Sequence, residues 1–255
     1  MVSSFLVVSG ASLLAAAVLM AVTAAIGHRL GKVSVVDTAW GLGFVLVALV
    51  AAVLGDGSAS RRWLLFALIA VWGLRLARHM HRRNHGKGED PRYAQMLEGA
   101  SYAVAVRKVF VTQGLALWFV SLPVQVSAVA GHGVLPVAAL GVLLALAGLV
   151  FESVGDAQLA AYKRDPDHGP VMDRGLWAWT RHPNYFGDAC VWWGIFLVAA
   201  SAWPGVLTVL SPVAMTYFLV WATGARLLDR HMEGRPGWAE YAARTSMFVP
   251  LPPKR

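Results

Sequence analysis

Seven apolar runs, each near the length needed to cross a bilayer, constrain this 255-residue chain more than any other feature. A helix rises about 1.5 Å per residue, so a hydrocarbon layer ~30 Å thick takes about 20 apolar residues. The runs are Phe5–Ile26, Val35–Leu54, Trp63–Ala77, Val109–Ala130, Val134–Tyr162, Tyr185–Ala202 and Val206–Ala225. In lipid every backbone N–H and C=O needs an internal partner, which restricts runs of this length to helices. The expectation is an all-α polytopic membrane protein, a seven-transmembrane-helix bundle. The third run is short unless it extends toward His81. The last two turns of the fifth should emerge from the membrane. The first lacks a basic start and is too long for a signal core, so it reads as a retained anchor. Composition agrees: 57% of residues are hydrophobic and 14% charged, against about 25% charged in soluble domains.

Charge sets the orientation. The chain carries a net charge of +8. In a soluble protein that would suggest nucleic acid, but no binding motif accompanies it, and the bases lie between apolar runs. Connections after the odd-numbered runs, with the C-terminal tail, hold 20 of the 22 Lys and Arg. The other two are Arg61 and Arg62. The positive-inside rule then puts the N-terminus outside and the C-terminus in the cytoplasm. The expected partner is the lipid bilayer. A single cysteine, Cys190, permits no internal disulfide. The polar connection 78–106, containing HRRNHGKGEDPRYAQ, reads either as an anchor to anionic lipid or as a lid over a site.

The chemistry concentrates in Gly175–Asp188, GLWAWTRHPNYFGD. Pro183 suits the first turn of a helix, where its missing N–H has no partner to lose. A helix starting there offers free N–H groups and a positive dipole end to an anion. Acids within spans are costly and are functional candidates by default. Three sites stand out: Asp37 in span two, Glu152 and Asp156 one turn apart in span five, and Asp188 in span six. Lys163 and Arg164 follow Asp156 by about two turns and suit phosphate contacts. Trp177 is either an interfacial ring or a stacking partner for a cofactor base. The tail holds Asp229, Arg230 and Tyr241, and can fold back over the loop at Arg181. The histidines show no metal-ligand spacing, so no metal is expected.

DxxWGxGF at Asp37–Phe44, EDxRY at Glu89–Tyr93, GLWxxTRHPNYFGD at Gly175–Asp188 and YxxxTSxFxP at Tyr241–Pro250 together resemble a bacterial membrane family similar to steroid 5α-reductase. Sterol C=C reductases share RHPNYFG with its following acid. Isoprenylcysteine carboxyl methyltransferases and phospholipid N-methyltransferases carry a similar RHPxYxG. The resemblance covers nearly the whole chain. It implies one domain over residues 1–255, with substrate-side helices and a cytoplasmic loop in 1–108 and a cofactor-binding half in 109–255. It further implies NADPH in a cytoplasm-facing cavity, at the bacterial inner membrane. Asp156, Lys163, Arg181, His182, Asn184 and Tyr185 then match the cofactor segment, and Asp229, Arg230 and Tyr241 the closing tail. Asp188 matches the acid after NYxG, and Glu152 stands where the steroid enzymes have Asn near the nicotinamide. The ketone-polarising Gln-Glu pair and Tyr of those enzymes are replaced by Asp37 and Trp40 and by WGLRLARHMHR, so a 3-oxo-Δ4-steroid is not implied.

The expected activity is NADPH-dependent reduction of an activated C=C bond in a hydrophobic lipid. Asp188, Glu152 and Asp37, in that order, are the candidate proton donors. The alternatives are a methyltransferase using S-adenosylmethionine and a non-enzymatic lipid-binding protein.

Overall fold

A computed structural model describes residues 1–222 and 224–254. The chain is all-helical: 75% of it is helix, and the described residues form no strand. Its internal contacts define two units, Met1–Leu135 with Val198–Ser211, and Pro136–Leu197 with Pro212–Arg255.

The first unit contains α1 (Val2–Leu30), α2 (Val35–Leu54), α3 (Ala59–Asn84), the short α4 (Pro91–Met96), α5 (Tyr102–Val120) and α6 (Leu122–Ser127). Glycines decide how α2 and α3 meet. A Cβ on Gly41 would lie 2.5 Å from Gly73 O, and one on Gly73 would lie 2.7 Å from Gly41 O. The GLGF segment is thus a packing feature, because small residues let two backbones approach. On α1, Leu6, Leu14, Val18, Val22 and Ile26 remain exposed, as suits a helix facing lipid.

Two boundaries differ from expectation for physical reasons. The third run forms Ala59–Asn84, passing His81 as its short apolar stretch requires, and its start moves back to Ala59, where its arginines satisfy carbonyls. Arg61 is 6% exposed. It donates to Ser127 Oγ at 2.8 Å and Ala130 O at 2.7 Å, while Arg62 donates to Ala52 O at 2.9 Å and to Gly55 O. The fourth run starts earlier, at Tyr102, passes through a π-turn at Val106–Val111, and stops at Ser121 before Pro123 in α6.

The second unit holds α7 (Leu135–Tyr162), most of α8 (Pro183–Ala200) and, after Pro212, most of α9 (Leu210–Tyr217), then α10 (Ala225–Met232) and α11 (Trp238–Arg244). Among the described residues, six helices are long and apolar enough to cross a membrane: α1, α2, α3, α5, α7 and Gly205–Met232. The other expected run forms α8, whose 18 residues include Pro183, Asn184 and Asp188 in the first two turns. Gly187, Asp188, Ala189, Val191 and Trp192 are buried. A helix enclosed by protein does not need the uniform hydropathy that lipid exposure demands.

Candidate active site

The site begins with glycine spacing. Gly141, Gly148 and Gly155 recur every seven residues on α7, and Gly187 and Gly194 do so on α8. Seven residues are nearly two helical turns, so each set lines one face. The two faces meet. A Cβ on Gly148 would lie 2.5 Å from Gly187 O and 2.7 Å from Val191 N. One on Gly187 would lie 2.5 Å from Glu152 N, and one on Gly194 would lie 2.5 Å from Ala145 N. The helices run antiparallel with their backbones touching. Glu152 sits on the same buried stripe of α7 and is 4% exposed; Asp188, beside Gly187, is 7% exposed. Two carboxyl groups are therefore brought to one level inside a close-packed helix pair.

The RHPNY loop is fastened on both sides. Asn184 Nδ2 donates to Asp156 Oδ1 at 3.2 Å, tying the start of α8 to α7. The His182 ring stacks on Tyr185, with centroids 5.7 Å apart. His182 Nε2 lies 2.8 Å from Asp229 Oδ1. Arg181 Nη2 donates to Asp229 Oδ2 at 2.7 Å, and its Nη1 donates to Ala242 O and Thr245 O, both at 2.8 Å. Trp177 is buried, with Nε1 donating to Gly155 O at 3.0 Å, and its own carbonyl accepts from the Tyr241 hydroxyl at 2.7 Å. Further along, Thr180 Oγ1 donates to Phe248 O at 2.9 Å and Leu251 N donates to Trp179 O at 3.0 Å. The tail does fold back over the loop at Arg181.

This geometry gives Arg181 a mechanical role. The resemblance puts Arg181 in the cofactor segment, whereas in the structure tail carbonyls and Asp229 take up its guanidinium. Each charged hydrogen bond contributes about 1.5–3 kcal/mol. Arg181→Ala is therefore expected to release residues 241–251, seen as a lower melting temperature and faster proteolysis of the tail. A tail still fully protected in the variant would return the guanidinium to the ligand.

Beside this framework lies a cavity of about 690 Å³, lined by Gln158, Tyr162, His168, Arg174, Glu240 and Tyr241 among others. Gln158 Oε1 accepts from Leu176 N at 3.0 Å, next to Gly175 with its φ of 61°. Only glycine adopts that left-handed turn without strain. Arg244 pairs with Asp173 at the rim. Burial pushes the Tyr241 phenol above its ordinary range, so it stays a neutral donor.

Of the expected cofactor contacts, Tyr241 lines this cavity. Asp156, Trp177, Arg181, His182, Asn184, Tyr185 and Asp229 form the adjoining framework. Lys163 and Arg164 sit on the exposed turn after Tyr162, and Arg230 is exposed on α10. Gln158, His168, Arg174 and Glu240 were not singled out from the sequence. The signal for Arg174 was its place directly before a turn-forming glycine.

Asp37 belongs to the first unit, where it completes a separate cluster. Tyr93 donates to Asp37 Oδ1 at 2.8 Å and accepts from Gln113 Nε2 at 3.2 Å. Arg92 lies 3.5 Å and Arg83 3.9 Å from Asp37 Oδ2. Glu89 accepts from the backbone N–H groups of Val33 and Ser34, ahead of α2. Burial and the Asp37 carboxylate together raise the Tyr93 phenol far above its ordinary range. Burial opposes the charge on Asp90, yet the Arg92 side chain and N–H outweigh it and hold Asp90 below the usual carboxylate range. The DxxWG and EDxRY motifs are therefore one assembly, and the loop read as an anchor or lid is a strap across the start of α2.

These features define an all-helical protein of membrane type with two buried carboxyl groups at a helix crossing, neither lining the cavity, and a tail-braced loop at a helix start. The chain belongs to the family described as "Protein of unknown function (DUF1295)", whose model matches residues 23–245. No curated protein and no solved structure matches it.

Proposed function

We propose that this chain is an NADPH-dependent reductase of an activated C=C bond in a hydrophobic lipid, related to the steroid 5α-reductase-like membrane proteins. The observation that carries this reading is the burial of Glu152 and Asp188 together at the α7–α8 crossing, in the unit that also holds the 690 Å³ cavity. Cavities of about 300–1,000 Å³ accept cofactor-sized ligands. His168 and Arg174 on the wall, with Lys163 and Arg164 on the neighbouring turn, suit a phosphate-rich dinucleotide. The bound cofactor supplies the hydride. The protein's own work is to hold the phosphates, keep Tyr241 protonated in the wall, and brace the loop through Arg181, His182 and Asp229. Asp188, backed by Glu152, gives the proton that completes the new C–H bond. Asp37 drops from this scheme, because Tyr93 and Arg92 already engage it.

Thermal melting of detergent-purified protein with NADPH, NADH or S-adenosylmethionine tests the ligand class. A hundredfold excess over Kd stabilises by about 2.7 kcal/mol. The expected result is a rise with NADPH. A rise with S-adenosylmethionine alone makes the protein a methyltransferase.

The proposal includes seven spans, with α8 as the enclosed one, the N-terminus outside and the C-terminus in the cytoplasm of a bacterial inner membrane. The uneven distribution of Lys and Arg supports it. A cysteine placed at Ser58 is expected to react with an impermeant reagent in intact cells. Labelling only after permeabilisation would reverse the orientation.

A further inference from the structure

The end of the first unit where α1 stops, α2 starts and α3 stops is strongly basic. Its parts are tied together: the His28 and Tyr102 rings lie 4.6 Å apart, and Asn84 Nδ2 lies 3.4 Å from Ser34 O. Arg29, Arg78, Arg82 and Lys87 are exposed at these ends, and Arg107 and Lys108 are exposed near the start of α5, whose Tyr102 hydroxyl donates to Ala24 O on α1. Most acids nearby are already engaged. Glu89 caps Val33 and Ser34, Asp90 holds Arg92 and Arg83, and Asp37 holds Tyr93 and Arg92. The folded strap therefore hides negative charge and leaves positive charge outside. Ile26 and Leu30 in the last two turns of α1 and, further back along α3, Val71 and Leu74 are exposed apolar residues.

We propose that this end binds the phosphate headgroups of anionic phospholipids. The bases meet the headgroups while the apolar residues meet the acyl chains, a combination that a free phosphate ion cannot use. Attraction to an anionic leaflet amounts to about fivefold in affinity per Lys or Arg near the surface, and salt screens it. The inference is independent of the reductase reading.

The test is melting of the detergent-purified full chain with added phosphatidylglycerol, phosphatidylcholine or inorganic phosphate. Phosphatidylglycerol is expected to raise the melting temperature by several degrees at low salt, with most of the rise lost in high salt. Phosphatidylcholine and inorganic phosphate are expected to give little. Reversing four charges, Arg82→Glu, Lys87→Glu, Arg107→Glu and Lys108→Glu, should abolish the rise, whereas Arg235→Glu in the other unit should keep it. Equal rises with both lipids, a rise with phosphate matching that with phosphatidylglycerol, or a full rise in the reversed variant would overturn the proposal. Should the reversed variant fail to fold, the wild-type salt titration decides: a rise unaffected by salt also overturns it.

Discussion

Asp188→Asn is expected to lose turnover by about 10²–10⁴-fold while keeping NADPH affinity within a few-fold. That is the usual contribution of general acid–base catalysis. The substitution keeps the size and most of the hydrogen-bonding capacity of the side chain, so the α7–α8 crossing at Gly187 is preserved. What it removes is a transferable proton. If Asp188 served only packing, the variant would fold poorly and its folded fraction would turn over normally. Single-turnover oxidation of bound NADPH in the presence of extracted membrane lipid separates the two. Normal turnover by a well-folded variant would move the donor to Glu152, 4% exposed on the facing helix.

The second large effect concerns the crossing itself. Gly148→Leu places a side chain where a Cβ alone would sit 2.5 Å from Gly187 O and 2.7 Å from Val191 N. Those are backbone atoms of a helix and cannot swing aside. The cost should exceed the roughly 1–3 kcal/mol of an ordinary overpacked core. Gly10→Leu is the control, since nothing lies within 4 Å of its Cβ position. In detergent size-exclusion chromatography, Gly148→Leu should lose the monodisperse peak and Gly10→Leu should retain it. Equal behaviour of the two would mean that α7 and α8 are not in contact through these glycines.

The contrast between these residues explains what the sequence could reveal. Hydropathy is summed over some 20 positions, so the apolar runs were legible, and Val35–Leu54 appears with unchanged ends. Pro183 marked the start of α8 through its own backbone chemistry. The glycine heptads on two runs went unread, and a period of seven does not in any case say which run is the partner. Contacts across long separations were not legible. Tyr93 and Asp37 lie 56 residues apart, and Asp37 alone reads as a candidate catalyst. Arg181 is the sharpest case. A base at a helix start reads as an anion site, and nothing local revealed that carbonyls of Ala242 and Thr245, more than 60 residues away, compete for it. The start of α3 shifted for the same reason, because Arg61 found its partners at Ser127 and Ala130.

The central claim is hydride transfer to a lipid, and isotope transfer tests it most directly. Membranes containing the protein are incubated with NADPH deuterated at C4 of the nicotinamide and with S-adenosylmethionine carrying a labelled methyl group, together with extracted membrane lipid. The account predicts deuterium in a carbon–deuterium bond of the lipid fraction with wild type, about 10²–10⁴-fold less with Asp188→Asn, and no methyl label in either. Methyl label in the lipid without deuterium would contradict it.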